Sequence, residues 1–472
     1  MEHTNDTNDR REDTAVNRAD DGWTKSELER VDLGDCRLER RLRFVAEDLS
    51  RQPEYPINVA SNDAASTKAA YRLFANERVT AEKILSCHQK KTLSRMQHES
   101  VVLAIQDTSY LNFTNHKKTR GLGPIGDSSA ILQGLILHST FAVTPRGLPL
   151  GVLSHDCWAR DGFLNSDETS ADRPLVEKES FKWIKALREV TNLPTEQATT
   201  VVHVADRECD IYEFLREAHG INAKYLIRAC QDRCLESSEY AHVQEYLKSL
   251  QPQALIELDV PTQKRKATLE VRFSSITLKA PGRITKIERL PINCWVVQVS
   301  EPNPPPGSEP LSWTLLTNLP VTTVEQALEK ISWYRRRWAI EEFHKILKSG
   351  CAVEDCRLQT AERLKRYVAL FCLIAWRIFW MVHISRADPA APAELVLTNT
   401  EIMTICTLER FSDKKLSPHR MTVRQAILAI AALGGHLARR LDPPPGCTAL
   451  WRGWQRLASM TELYESMANK CG

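Results

Sequence analysis

The sequence has no G-x-x-x-x-G-K-[ST] segment, which excludes an ATP phosphate cradle of that kind. Gly121-Leu122-Gly123-Pro124-Ile125-Gly126 matches G-x-G-x-x-G only loosely, without the acid about 20 residues on that a dinucleotide site needs, and reads as a flexible loop. There is no disulfide framework either. The 13 cysteines fall in no paired spacing, and Cys230-x-x-x-Cys234 and Cys351-x-x-x-x-Cys356 lack the second close pair or His pair of a zinc finger. With no apolar segment behind a basic N-terminus, the thiols are expected to be reduced in a cytosol. The 18 Gly and 23 Pro of 472 residues exclude collagen-like and wholly disordered chains. The longest apolar run, residues 368–382, is interrupted by Arg377 and is shorter than the ~20 residues a bilayer requires, so a buried core helix is expected and no membrane segment.

What is present is ordinary globular material, 42% hydrophobic and 26% charged, enough for about three domains at roughly 150 residues each. The formal charge is only +3. Residues 262–290, however, hold eight cations, among them Lys264, Arg265 and Lys266, against Glu270 and Glu288. Such a stretch is either a polyanion-binding surface or a solvated basic loop.

Residues 1–22 carry seven acids, three Arg and almost no large apolar side chain, and read as a disordered tail. Residues 23–100 repeat apolar side chains at helical spacing, as in Leu38, Leu42 and Val45, and predict a small helical domain. Arg37, Arg40, Arg41 and Arg43 flank that stripe, as a solvated face or a phosphate-contacting one. At Val101-Val102-Leu103-Ala104-Ile105 the period changes to an unbroken apolar run, a central strand ending at Gln106-Asp107. A hairpin through Pro145-Arg146-Gly147, a helix at 177–190, a strand at 199–205 ending at Asp206 and a helix at 211–218 follow. Residues 240–320 predict a β-rich insertion inside a domain running from 101 to 385, and 386–472 predict a helical C-terminal domain whose Trp451 and Trp454 pack internally or against a partner.

Asp107 and Asp206 each stand where an apolar strand meets its loop. Either could be a turn or capping residue. Together they suit a hard cation such as Mg²⁺, whose sites commonly use few carboxylates plus substrate phosphate. The segment from Tyr334 to Lys348 supplies a third acid. Tyr334, Arg337, Glu341, His344 and Lys348 are separated by three or four residues and form one polar helical stripe, while Ile340, Phe343 and Leu347 form an apolar one about 100° away. Glu342 is rotated off the polar stripe, so register favours Glu341. An amphipathic helix with ordinary ion pairs has the same pattern.

The order Asp107, then Asp206-Arg207-Glu208-Cys209-Asp210, then Tyr334, Arg337, Glu341 and Lys348 resembles the DDE transposases of bacterial insertion sequences, in particular the cut-and-paste subgroup with a Tyr-Arg-Glu-Lys signature and a hairpin intermediate. The resemblance extends from Leu33-Gly34-Asp35 and Ala70-Tyr71-Arg72 to Trp451-Arg452-Gly453-Trp454. It implies an α/β (α+β) fold with a ribonuclease-H-like core, flanked by an N-terminal domain that binds DNA ends and a C-terminal domain that dimerises. It also implies two Mg²⁺, replaceable by Mn²⁺, held by Asp107, Asp206 and Glu341, with Tyr334, Arg337 and Lys348 on phosphates. Trp313 matches a base-stacking residue, Trp338 one that enters the gap left in the duplex, and Arg228 one near the hairpin backbone. Cys209 departs from the family's alanine. The implied partners are double-stranded DNA, both transposon ends and target, and a second copy of the chain, with no ATP, in a bacterial cytoplasm at the nucleoid. A repressor or architectural protein that keeps the fold, and a metal-dependent nuclease of another kind, are the alternatives.

Overall fold

The computed structural model describes residues 22–61, 63–126, 132–161, 174–195, 198–260, 265–284, 289–408, 416–439 and 442–471, so the acidic tail and Lys264 lie outside the described residues. The chain opens with helices α1 (Trp23–Leu28), α2 (Cys36–Arg51), α3 (Ile57–Ala60), α4 (Ala64–Ala75) and α5 (Ala81–Met96). Asp35, Asp63 and Thr80 start α2, α4 and α5 by accepting hydrogen bonds from the backbone N–H groups of Arg37, Ser66 and Lys83. The expected stripe of α2, Leu38, Leu42 and Val45, is buried.

Strands β1 (Val101–Asn112), β2 (Gly123–Ile125), β3 (Leu132–Val143) and β4 (Pro149–Trp158) follow. Gly121 to Gly126 is therefore not all loop, since β2 pairs with β3. Next come α6 (Phe181–Thr191), β5 (Thr200–Ala205), α7 (Tyr212–Gly220), β6 (Lys224–Arg228), α8 (Val243–Ser249) and strands β7 (Ala254–Val260), β8 (Arg265–Leu278), β9 (Ile292–Ser300) and β10 (Ser312–Thr317). All ten strands form one sheet, ordered β2-β3-β1-β5-β6-β10-β9-β8-β7 with β4 on β3. Among the described strands, β1–β5 and β5–β6 pair in parallel and the other pairs are antiparallel. The β-rich region expected at 240–320 is thus an extension of the central sheet, since β10 pairs directly with β6.

Helices α9 (Val324–Arg335), α10 (Trp338–Lys345), α11 (Ala361–Ala387), α12 (Asn399–Thr407), α13 (Val423–Leu433) and α14 (Cys447–Cys471) complete the chain. One sheet face lies under α10 and α11, where Phe343 stacks on Phe141 with ring centroids 4.7 Å apart. The other lies under α6 and α7, where Trp183, Leu187, Phe214 and Leu215 join Tyr225 and Ile227. Helix α11 has 27 residues and is long and apolar enough to cross a bilayer by length and composition, against the shorter run read from the sequence; here most of it is buried inside the protein.

Arg377 of α11 ties the two ends of the chain together. Its guanidinium carbon lies 5.2 Å from the Trp23 ring centroid and 4.4 Å from that of Trp454. Trp23 Nε1 donates to Ser50 Oγ (3.1 Å) and Trp454 Nε1 to the Ser50 carbonyl (3.0 Å). Trp451 and Trp454 are buried within the chain. Helices α13 and α14 approach closely through Gly434 and Gly453, where an added Cβ would stand 1.8 Å from the Ala449 carbonyl oxygen and 1.7 Å from that of Ile430.

A second tie joins α1 and α5 to the sheet. The neutral His88 ring donates from Nδ1 to Glu27 (2.6 Å) and accepts at Nε2 from the Val152 N–H (3.0 Å), while Arg95 pairs with Glu27 at 2.7 Å. Burial would raise the Glu27 carboxyl, but the His88 hydrogen bond and the charges around it prevail and bring it down to about 2. A depressed carboxylate stabilises the fold above its ordinary pKa of 4.5, and that contribution is lost as pH falls toward 2. Glu27→Gln should therefore cost roughly 3 kcal/mol at pH 7. In thermal unfolding, the gap between the variant and the natural chain should close as pH is lowered from about 5 toward 2; a gap independent of pH would refute this account.

Candidate active site

Strands β1 and β5 run parallel with Leu103 opposite Val202 and Ile105 opposite Val204. The same register carried on two residues sets Asp107 beside Asp206, on strands ~4.8 Å apart. Leu103, Ile105, Val202 and Val204 belong to the core under α10 and α11, and by strand alternation both acids share that face. Strand β1 does not end at Asp107 as its apolar run suggested. It continues to Asn112 because β3 pairs with it there, whereas β5 stops at Ala205. Asp107 therefore stands inside a strand at the point where its neighbour ends. Its Oδ1 accepts from the Thr108 N–H (2.8 Å). Asp206 caps the short 3₁₀ turn 207–209 by accepting from the Glu208 N–H (2.9 Å), so the capping role and the site position belong to the same residue.

The segment from Tyr334 to Lys348 is not one straight helix. Three-residue hydrogen bonds, Arg337 N–H to the Tyr334 carbonyl (2.9 Å) and Ala339 N–H to that of Arg336 (2.9 Å), tighten the joint between α9 and α10. Beyond α10 the backbone widens into a π-helical stretch over Ile346–Gly350. The expected polar stripe is accordingly split. Ile340, Phe343 and Leu347 are buried as expected, but so are Tyr334 and His344. Burial, with the Lys348 charge adding to it, brings His344 down to about 3. Lys348, in the wide turn, donates to the Tyr110 carbonyl (2.9 Å) and lies 3.4 Å from Glu354. Arg337 donates to Glu341 at 2.5 Å. Glu342 instead faces α11, with an oxygen 4.0 Å from His383.

The electrostatics bring these groups into one neighbourhood. Burial pushes the Asp107 carboxyl up to about 7; its Thr108 hydrogen bond and Arg337 oppose that, and Asp206 and Glu341 reinforce it. Burial also raises the Tyr334 hydroxyl, against the Arg337 and Arg228 charges. Asp107, Asp206, Glu341, Arg337, Tyr334 and Arg228 thus act on one another. Among the described residues no three His, Cys, Asp or Glu side chains are closed around an ion position. The donor set nonetheless fits a hard divalent cation: all three acids offer oxygen, and their mutual repulsion is what a cation relieves.

Arg228 ends β6 and donates to the Ser312 carbonyl (3.2 Å), next to the half-buried Trp313 of β10. Trp338, at the start of α10, is 64% exposed with the Arg337 guanidinium carbon 5.6 Å from its ring centroid. The basic stretch behaves differently from its sequence reading. Arg265 is bound to the buried Glu301 (2.5 Å), Lys266 lies 3.7 Å from Glu257, Arg272 pairs with Glu270 (2.7 Å) and Arg283 with Glu213. Glu301, Glu257 and Glu213 come from outside the stretch, whereas Glu270 shares strand β8 with Arg272, so folding offsets part of the local excess of charge, and β8 lies four strands from β5. Sequence reasoning missed one structural clamp beside the acids. The buried Asp210 carboxylate accepts from the Cys230 N–H (2.7 Å), the Gln231 N–H (3.1 Å) and Arg233 Nε (2.7 Å). Asp210 was visible at the end of the run beginning at Asp206; nothing local marks Arg233.

Three family models match the chain in sequence order: Transposase DNA-binding over residues 20–79, Transposase DDE domain over 183–377 and Transposase Tn5 dimerisation domain over 373–468. The matches support a DDE transposase. The central mixed sheet with helices before and after it is the architecture of a DDE, ribonuclease-H-like, transposase domain. The DDE match contains Asp206, Arg228, Trp313, Tyr334, Arg337, Glu341 and Lys348. It begins beyond Asp107, which the β1–β5 pairing returns to it.

An acid raised from 3.8 to about 7 penalises the fold as pH climbs through that interval, because the unfolded chain has already lost the proton. In protein kept metal-free with EDTA, Asp107→Asn should raise the thermal midpoint by a few degrees at pH 8 and leave it nearly unchanged at pH 4. An equal effect at both pH values would show that the carboxylate is not crowded.

Proposed function

We propose that this chain is a cut-and-paste DNA transposase whose catalytic acids are Asp107, Asp206 and Glu341, acting with two Mg²⁺ for which Mn²⁺ can substitute. The observation that carries this reading is the β1–β5 register that sets Asp107 beside Asp206, with Glu341 near enough to act on the Asp107 carboxyl, which burial above all raises to about 7. Bound divalent ions would supply activation of the attacking oxygen and stabilisation of the leaving one. The chain's own work is positioning. A water breaks the phosphodiester at the element's 3′ end, the freed hydroxyl attacks the opposite strand to give a hairpin, and after reopening the 3′ ends are joined to target DNA.

Arg337 and Lys348 are the phosphate-holding cations, with Tyr334 beside them. At present Arg337 binds Glu341 and Lys348 binds the Tyr110 carbonyl. An arriving phosphate offers Arg337 a forked partner of equal charge, and the exchange would free Glu341 for the ions. Trp313 stacks the base that leaves the duplex, the exposed Trp338 enters the gap, and Arg228 holds the hairpin backbone. Arg265 is left out of the DNA contacts because Glu301 occupies it, and Lys266 is at most peripheral. The N-terminal helices read the element's end, and two copies pair through the C-terminal region, where Leu463 and Met467 of α14 are exposed one helical turn apart. No step draws on ATP, and the setting is a bacterial cytoplasm, at the nucleoid. The hold of Arg337 on Glu341 is the one feature that favours a silent DNA-binding regulator instead.

DNA carrying the sequences that flank this gene, end-labelled and run on a denaturing gel, separates the two. Mg²⁺-dependent nicks followed by hairpins are expected, and Asp206→Ala or Glu341→Ala should reduce them ~10³-fold or more while end binding persists. Binding without any cut would favour the regulator. Trp313→Ala should let nicks accumulate and suppress hairpins; loss of both together would remove Trp313 from the hairpin step.

A further inference from the structure

The row of the sheet that holds the acids does not stop at them. Asp107 is paired with Ser139 of β3, and Ser139 with His155 of β4, so Asp206, Asp107, Ser139 and His155 lie in line across four strands. Phe141, on the same face as Ser139, stacks under Phe343, which places this row beneath α10. His344 follows Phe343 and lies one turn beyond Glu341, near enough to His155 that a charge on one ring would be felt by the other. From the other side, Cys372 Sγ of α11 approaches His155 Nδ1 at 3.6 Å.

Ser139 Oγ, His155 Nε2 and His344 Nε2 are all buried, and none has a hydrogen-bond partner among the described residues. A buried polar atom left unmade costs about 1–3 kcal/mol, so each of the three calls for a partner, and His155 and His344 are close enough to act on each other. Burial brings His155 down to about 4 and His344 to about 3, so both rings are neutral and each has one donor and one acceptor nitrogen. A hydroxyl and two neutral imidazoles provide the two to four polar partners that an internal water needs.

We propose that Ser139, His155 and His344 are positioning residues that hold buried water beneath α10, and that this hydrated contact sets Glu341 against Asp107. The proposal rests on the reading of Asp107, Asp206 and Glu341 as the catalytic acids. Water is suited to this place because α10 is bounded by the tight joint at Arg336 and Arg337 and by the wide turn Ile346–Gly350, while Glu341 has to exchange Arg337 for the ions. A close-packed apolar contact resists displacement. A water-bridged one re-forms after a small shift.

The test uses the full chain with two readouts: single-turnover cleavage of end DNA against Mg²⁺ concentration, and the Mn²⁺-induced rise in thermal midpoint, which needs no DNA. His344→Leu should slow cleavage by ~10- to 100-fold, the range for outer-shell partners of metal ligands, and should shift both ion midpoints upward with end binding unchanged. Its thermal midpoint without ions should stay level or rise, since an apolar group relieves an unmade hydrogen bond. His344→Gln should recover cleavage to within a few-fold. Ser139→Ala, which adds no volume, should move the ion midpoints in the same direction and decides the matter if His344→Leu does not fold. A natural chain that cuts and binds Mn²⁺, with both variants matching it, overturns this proposal alone. A natural chain that neither cuts nor responds to Mn²⁺ overturns the reading of the acids and the proposal with it.

Discussion

The parallel pairing of β1 with β5 is the constraint on which the rest of the structure depends, because it holds two carboxylates beside each other where they repel. At ~5 Å and an effective dielectric of about 20, two unit charges oppose each other by roughly 3 kcal/mol. Nothing in Asp107 or Asp206 separately enforces that closeness. It is imposed by Leu103, Ile105, Val202 and Val204, fully buried on the same strands, and by β3 and β6 on either side. Burial, reinforced by Asp206 and Glu341, keeps a proton on Asp107 to about pH 7, and that proton also relieves the repulsion. A divalent cation is another, and it fits the all-oxygen donor set.

Glu341 reaches this pair on a different footing. It is carried by a short helix with irregular backbone at both ends and is held by Arg337, a cation that also faces Asp107. Arg337 therefore compensates the acids and is, in the proposed mechanism, the group that meets the incoming phosphate. Lys348 stands ready in the same manner from the wide turn, lodged against the β1 backbone.

Much of this was legible in the sequence. An unbroken apolar run followed by Asp marked both strands, because burial on two faces leaves little choice of side chain; the same logic predicted Ile340, Phe343 and Leu347 as the packed side of α10. What could not be read has identifiable causes. The apolar run of β1 ends at Ile105 although the strand continues, since polar side chains beyond it are accommodated by β3. The polar stripe from Tyr334 to Lys348 assumed 3.6 residues per turn throughout, and a tightened joint followed by a π-helical turn moved Tyr334 and His344 inward. The basic stretch at 262–290 counted neighbours in sequence, while its Arg265 and Arg283 are matched by Glu301 and Glu213, which only folding brings near. The three orphaned polar atoms under α10 come from three separate segments, and no single segment advertises them.

The sandwich of Arg377 between Trp23 and Trp454 bears on how such a protein can diversify. Each ring comes from a different end of the chain, inside regions that match separate family models, and the cation between them comes from the helix that joins the central sheet to the C-terminal helices. A DNA-binding module grafted from a relative would have to bring a ring of the right size to a cation already shared with the opposite terminus. Recombination of whole modules is therefore obstructed at this joint. Point changes on the solvent side of α2 and α4, by contrast, leave the shared joint intact.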